Sequence, residues 1–381
     1  MPEPKQLDIK QLYDGFRDPA TVRQLARTIA HEAQQLLQPL NIMEVCGGHT
    51  HTLMKFGLKE LLPENIHFIH GPGCPVCVMP KERIDHAITL AAQPDTILVT
   101  LGDMIRVPGS AGTLAQSRAN GSDVRPLYDP LDALTIARQN PTKTVVFFAI
   151  GFETSTPMTA VLLQQAEAQG IDNLLFHINH VLVPPAVDAV MADPRVRVNA
   201  FVAPSHVSVI QGADIYQPLV DKYATPVVVA GFEPVDMMEA VLRLVRQKNA
   251  GAAHVDIQYS RAVNREGNLT AQKLVADCFT VRDTFRWRGL GPIARSALQL
   301  KPHYQHRDAE IHFRAILPEH ELDDHKACQC GAILRGLAQP ADCRVFARGC
   351  TPERPLGSCM VSSEGACNAY YRYQSPQRAA G

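Results

Sequence analysis

Along the first two-thirds of the chain, short apolar runs alternate with segments whose apolar residues recur at helical spacing. Residues 21–38 carry the helical pattern and precede a short run at 41–45 that delivers Cys46. Residues 65–69 read as a strand ending at HGPGCPVC. In 79–92 the apolar positions Ile84, Ala87, Ile88 and Ala91 fall on one helix face. The run TILVTL at 96–101 is a strand of buried type. It opens into a polar, Gly-rich loop of about 20 residues, long enough to suggest function. A helix over 131–139 leads to a strand over 144–150, and further strands are expected at 173–178, 198–203 and 226–230.

Continuous Val, Ile and Phe runs between helices indicate parallel strands buried on both faces, so the fold class is α/β. Residues 144–163 (TVVFFAIGFETSTPMTAVLL) resemble residues 225–244 (TPVVVAGFEPVDMMEAVLRL): each is a strand, a Gly-Phe-Glu turn and an amphipathic helix. This weak repeat supports two parallel-sheet α/β domains of related design, expected at 12–141 and 142–260. Ligand loops in such sheets follow the strand C-termini, where both Gly-Phe-Glu turns lie. Beyond about residue 260 regular strands are no longer expected, and Gly, Pro and Cys rise. Residues 261–381 read as a loop-rich, Cys-rich C-terminal region that needs a staple to hold it.

Composition narrows the function classes. A hydrophobic content of 46% with 20% charged residues excludes a largely disordered chain. Thirty-seven Lys and Arg against 38 Asp and Glu, a net charge of −1, argues against a coat for nucleic acid or anionic membrane. No apolar run approaches the roughly 18 residues of a spanning helix, and the N-terminus lacks a signal-peptide pattern. The expected location is the cytoplasm, where structural disulfides are not the default.

Ten cysteines then matter for their distribution: Cys46, Cys74 and Cys77 lie near the start, Cys278 stands alone, and six fall between Cys328 and Cys367. In CGGHTH (46–51) a thiol, two glycines and two imidazoles follow a strand, the glycines allowing close backbone approach and positive φ. Thiolate with imidazole suits iron or zinc, but this is half a site; a buried Cys beside a Gly-rich turn is the competing reading. GPGCPVC (71–77) holds a CxxC ahead of the helix expected near Pro80, a setting that lowers thiol pKa and suits a reducible Cys74–Cys77 disulfide. Half of a four-Cys zinc site is the alternative, although no second CxxC completes it. The C-terminal thiols Cys328, Cys330, Cys343, Cys350, Cys359 and Cys367 are widely and irregularly spaced, which fits an iron–sulfur cluster better than a zinc ribbon or disulfides. Glu153 and Thr154 begin a helix, so capping competes with chemistry. His206, in Pro204-Ser205-His206, closes a strand and either faces a ligand or is satisfied locally. His177 and His180 read as structural and Cys278 as a core hydrophobe. Neither a GxxxxGK[ST] loop nor a GxGxxG after a strand is present, so nucleotide chemistry has no support, and no Ser-His-Asp arrangement emerges.

Taken in order, CGGHTH, GPGCPVC, GFETST, PSHVS and CTPERPLGSCMVSSEGAC resemble the HypD family of hydrogenase maturation factors over residues 12–373. Two departures stand out: Ser155 where the family usually has Thr, and Ser205 where it usually has Gly. The resemblance implies a scaffold, with redox activity rather than a turnover enzyme's cycle, on which the iron of [NiFe] hydrogenase acquires cyanide and carbonyl. It implies a HypC-like chaperone supplying a second thiolate and a HypE-like cyanide donor. It further implies Cys46 as thiolate ligand of an Fe(CN)2CO unit, with His49 in the immediate surroundings of the iron. A [4Fe–4S] cluster is implied on Cys328, Cys343, Cys350 and Cys367, whose separations of 14, 6 and 16 residues match the family's; Cys330 and Cys359 are alternates. Cys74 and Cys77 become the dithiol of an arrangement resembling ferredoxin:thioredoxin reductase. Glu153, Thr154 and His206 become candidate contacts to cyanide or the iron unit. An iron–sulfur thiol–disulfide oxidoreductase and a zinc-stapled interaction protein are the competing functions.

Overall fold

The structure, a computed structural model, describes residues 14–374 apart from positions 320 and 323. Positions 12–13 and 375–381 of the expected regions lie outside the described residues. Two parallel sheets form the body. The first has strand order β2-β1-β7-β8-β9, with β1 at Leu40–Glu44, β2 at Ile66–His70, β7 at Ala200–Pro204, β8 at Val227–Ala230 and β9 at Val255–Ile257. The second has order β4-β3-β5-β6, with β3 at Thr96–Leu101, β4 at Asp123–Leu127, β5 at Thr144–Gly151 and β6 at Leu174–His180. All pairings in both sheets are parallel.

The strands are buried on both faces, as their unbroken apolar runs require. Val145, Phe147 and Ala149 of β5 face one core cluster, and Val146, Phe148 and Ile150 face another. The outer face of the first sheet is covered by helices Pro19–Glu32 and Pro234–Asn249. The earlier helix starts where Asp18 accepts the Ala20 and Thr21 N–H groups and Pro19 presets the first turn.

The sheets do not follow the two sequence halves. The chain builds β1 and β2 in the first sheet, crosses to build β3–β6 in the second, and returns for β7–β9. The boundary expected at 141/142 therefore falls inside the second sheet, between helix Asp132–Gln139 and β5. The two Gly-Phe-Glu units are both present, one in each sheet.

The region beyond 260 also departs from expectation. It contains two antiparallel pairs, β10 (Phe279–Val281) with β13 (Leu298–Leu300) and β11 (Thr284–Trp287) with β12 (Gly291–Ala294). Trp287 is buried there, its indole N–H donating to Ser296 Oγ at 2.9 Å. The expected Gly-rich loop after β3 likewise holds a helix, Leu114–Ala119, opened by a reciprocal Thr113–Gln116 cap, and then β4. Among the described residues no helix is long and apolar enough to cross a membrane.

Candidate functional site

The carboxyl ends of β1, β2, β7 and β8 are neighbours in the first sheet, so the loops CGGHTH, HGPGCPVC, PSH and GFE meet at one edge. Cys46 precedes helix Gly47–Lys55 in an extended conformation. Its main chain is pressed against the CxxC loop: the Gly47 N–H donates to Gly73 O at 3.0 Å, and a Cβ on Gly73 would come within 2.2 Å of Cys46 N. A Cβ on Gly47 would meet Glu364 Cβ at 2.2 Å. Neither Gly47 nor Gly48 has positive φ, so these glycines serve close approach alone.

Cys46 is 3% exposed, and its Sγ lies 3.7 Å from His206 Nδ1. His206 comes from the end of β7, which pairs directly with β1. His49 turns elsewhere: its Nε2 bonds the carbonyls of Ala230 and Gly231, each at 3.2 Å, and its ring tilts against Phe232. The structure thus brings His206 to the thiol and uses His49 to anchor the turn to β8. Burial pushes both imidazoles down to about 4, leaving them neutral near pH 7. Burial, with the Glu364 and Glu44 carboxyls nearby, pushes the Cys46 thiol well up.

Over this edge lies a cleft of about 380 Å³, lined from the first sheet by Gly73 and His206, from the second by Leu101, Asp103, Thr154 and Ser155, and from the C-terminal region by Ser362, Ser363 and Glu364. Thr154 Oγ is buried without a partner among the described residues. Glu153 is not in the lining; one carboxylate oxygen accepts the Val183 N–H at 2.9 Å and so caps helix Val183–Met191 rather than its own. A larger cavity of about 780 Å³ contains none of the expected site residues; in its wall Arg83 and Arg282 bind Glu310, while His86 bridges His177 and Pro318 O. His177 and His180 are both buried within hydrogen-bonded surroundings, and Cys278 is fully buried.

Cys74 opens the short helix Pro75–Val78, and its sulfur accepts the Cys77 N–H at 3.3 Å. Burial pushes the Cys77 thiol up, overriding the lowering expected from a helix N-terminus. Cys74, Cys77 and Cys359 line one small cavity, Cys74 and Cys359 lie close enough to act on the Cys77 thiol, and Cys330 lies close enough to act on Cys359. Cys330 also contacts Cys328 and Cys367. Hydrogen bonds from Cys330 and Cys77 bring the Cys359 thiol down to about 6.

The C-terminal thiols fit a cluster by their surroundings. A Cβ on Gly357 would lie 2.6 Å from the sulfurs of Cys328 and Cys330, so the glycine leaves a cradle beside them. Cys350 Sγ accepts the Leu356 N–H at 3.3 Å, and Cys343 Sγ donates to Ala327 O at 3.7 Å, beside Cys328. Among the described residues no group of three or more His, Cys, Asp or Glu forms a set for a single metal ion. A cubane cluster spreads its thiolates wider than one ion does, so that finding bears on zinc more than on iron–sulfur. The sequence reading missed Glu364, Asp103 and Glu44. Of these only Glu364 had a signal, a carboxyl set between Ser363 and Gly365 just before Cys367.

A family model described as the hydrogenase formation hypA family, HypD, matches residues 20–374. The chain is 50% identical over 372 residues to the hydrogenase maturation factor HypD of Azotobacter vinelandii, covering 96% of this chain and 97% of that one. It is 47% identical over 368 residues to the hydrogenase maturation factor HypD of Escherichia coli, covering 96% and 98%. With the factor of the same name from Cupriavidus necator it shares 48% identity over 367 residues, 94% of this chain and 96% of the other.

Proposed function

The chain belongs to the HypD family of hydrogenase maturation factors, and from that membership we propose that it is the scaffold on which an iron unit receives cyanide and carbonyl for a [NiFe] hydrogenase. The observation that carries this reading is Cys46, a soft donor fixed at the carboxyl edge of a parallel sheet, 3.7 Å from an imidazole that lines the cleft above. One thiolate does not complete the iron's coordination, so a HypC-like chaperone supplies the second across the cleft mouth, and a HypE-like donor delivers cyanide there.

The iron is cargo, and the chain's residues prepare its seat. Burial and two carboxyls keep the Cys46 proton in place until a cation arrives; the same carboxyls then favour the cation, and the proton is released. His206, neutral, orients the unit from beside the thiolate. Thr154, with no partner of its own among the described residues, offers a hydroxyl to cyanide nitrogen. Glu153 holds the wall that carries Thr154 by capping the neighbouring helix.

A [4Fe–4S] cluster held by Cys328, Cys343, Cys350 and Cys367 would supply single electrons when bound. The row Cys330, Cys359, Cys77, Cys74 is suited to thiol–disulfide exchange. Cys359, its thiol lowered to about 6, is the nucleophile toward Cys77 of an oxidised Cys74–Cys77 pair. Cys74 leaves as thiolate and takes a proton; Cys330 then attacks Cys359, its proton passes to the freed Cys77, and the disulfide now joins Cys330 to Cys359.

Infrared spectroscopy and iron analysis of the anaerobically purified complex with the chaperone test the proposal. Expected are cyanide and carbonyl stretching bands and iron in excess of one cluster. Cluster iron alone, with no such bands but active dithiol exchange, would transfer the assignment to a thiol–disulfide oxidoreductase.

A further inference from the structure

A buried row of polar side chains joins the Cys46 turn to the Cys-rich segment; of its members the steps above use only the charge of Glu44. Glu44 and His70 end the adjacent strands β1 and β2 in register, both almost wholly buried. One Glu44 carboxylate oxygen accepts the Cys46 N–H at 3.2 Å; the other bonds the Thr50 hydroxyl and His70 Nδ1. On the far side of the ring, His70 Nε2 lies 3.2 Å from the Tyr370 hydroxyl. That hydroxyl donates to Gln339 Oε1 at 2.8 Å and accepts from Lys59 Nζ at 2.9 Å. Its single proton is committed to Gln339, so His70 Nε2 is the donor between them, and a further proton is shared between His70 Nδ1 and the Glu44 carboxyl. Tyr370 follows Cys367 by three positions on helix Ala366–Tyr373, close to one turn, and that helix packs on Gly47–Lys55.

Apolar side chains would fill the same volume without the cost of desolvating polar groups. What a hydrogen-bonded row adds is direction: apolar contact fixes a separation, whereas each bond here fixes an orientation as well. We propose that Glu44, His70 and Tyr370 are positioning residues, a strut through which the helix carrying Cys367 sets the orientation of the Cys46 turn. Order in the Cys-rich segment fixes the Tyr370 hydroxyl, the hydroxyl fixes the His70 ring, and the ring fixes the carboxylate that holds the Cys46 amide. The inference takes its meaning from the reading of Cys46 as the working thiolate, but its test needs neither iron nor partner, so each can fail alone.

The test is the rate at which N-ethylmaleimide labels Cys46 in full-length, anaerobically purified protein, followed by peptide mass spectrometry with the buried Cys278 as internal reference. Tyr370→Phe keeps the ring that meets His70 edge-on at 5.3 Å and removes only the hydroxyl. Expected is a rise in Cys46 labelling of about five-fold, the scale of one lost buried hydrogen bond, with Cys278 unchanged. His70→Gln should raise it likewise, and the double variant should label no faster than the quicker single one. Unchanged Cys46 labelling in Tyr370→Phe, equal acceleration of Cys46 and Cys278, or multiplying effects in the double variant would each overturn the strut. Should His70→Gln fail to fold, hydrogen exchange at the Cys46 amide in Tyr370→Phe decides: faster exchange supports the strut, and unchanged exchange rejects it.

Discussion

At the scale of the residue, Glu153 illustrates how burial decides what a side chain can do. One oxygen caps a helix, the other has no partner among the described residues, and burial pushes the carboxyl from 4.5 up to about 7. A raised carboxyl contributes stability that is complete below its unfolded pKa and is lost as pH rises through the folded one. Glu153→Gln keeps the acceptor and removes the titration. Relative to the unsubstituted protein, the variant should therefore gain about 2 kcal/mol between pH 5 and pH 8, read from urea unfolding at each pH. A constant difference across that range would mean that Glu153 ionises freely. The two histidines make a second residue-scale point. CGGHTH put His49 next to Cys46 in sequence, yet the imidazole beside the thiol is His206, 160 residues away. Nothing in either motif encodes that β7 lies beside β1; strand order does, and strand order is a property of the whole sheet.

At the scale of the element, legibility followed burial. The strands with unbroken apolar runs, β3 and β5 among them, were readable because both faces pack into cores. Strands β4 and β9 were missed for what they contain: DVRPL is half polar and carries Pro126, tolerated where a strand has a free side, and VDI is only three residues long. The short pairs β10–β13 and β11–β12 were missed because three or four residues carry no period to detect. The CxxC was legible as a motif, but its partners were not. Cys359 reaches Cys77 from 282 positions away, within a short turn at Ser358–Met360 whose Ser358 hydroxyl donates to Cys77 O. If that contact is the exchange route, Cys359→Ala should keep the brown chromophore expected of the proposed [4Fe–4S] cluster while blocking re-reduction of an oxidised Cys74–Cys77 pair by a one-electron donor. Thiol mapping by mass spectrometry reads the outcome, and re-reduction at the normal rate would remove Cys359 from the route.

At the scale of the whole molecule, the Cys-rich segment is not a separate body. Helix Ala366–Tyr373 packs on the helix that follows Cys46, Arg106 donates to Val361 O at 3.4 Å, and Glu364 closes over Gly47. The stretch leading to it is tied to the second sheet by Arg282 on the carbonyl of Ile178 and by Arg307 on the carbonyls of Ile171 and Leu174, and to the helix after the CxxC by Glu310 on Arg83. Interleaved sheets therefore bring the N-terminal thiol, the dithiol and the C-terminal thiols to one edge, although they are far apart in sequence. The proposed function gives these cysteines separate duties, and infrared spectroscopy of Cys46→Ala, co-purified anaerobically with a HypC-like chaperone beside the unsubstituted complex, tests the separation most directly. Expected is a protein that keeps its brown chromophore and its Cys74–Cys77 exchange but loses the cyanide and carbonyl bands, while His206→Ala shifts those bands without abolishing them. Both band sets persisting in Cys46→Ala would contradict the assignment, because the iron would then be held elsewhere.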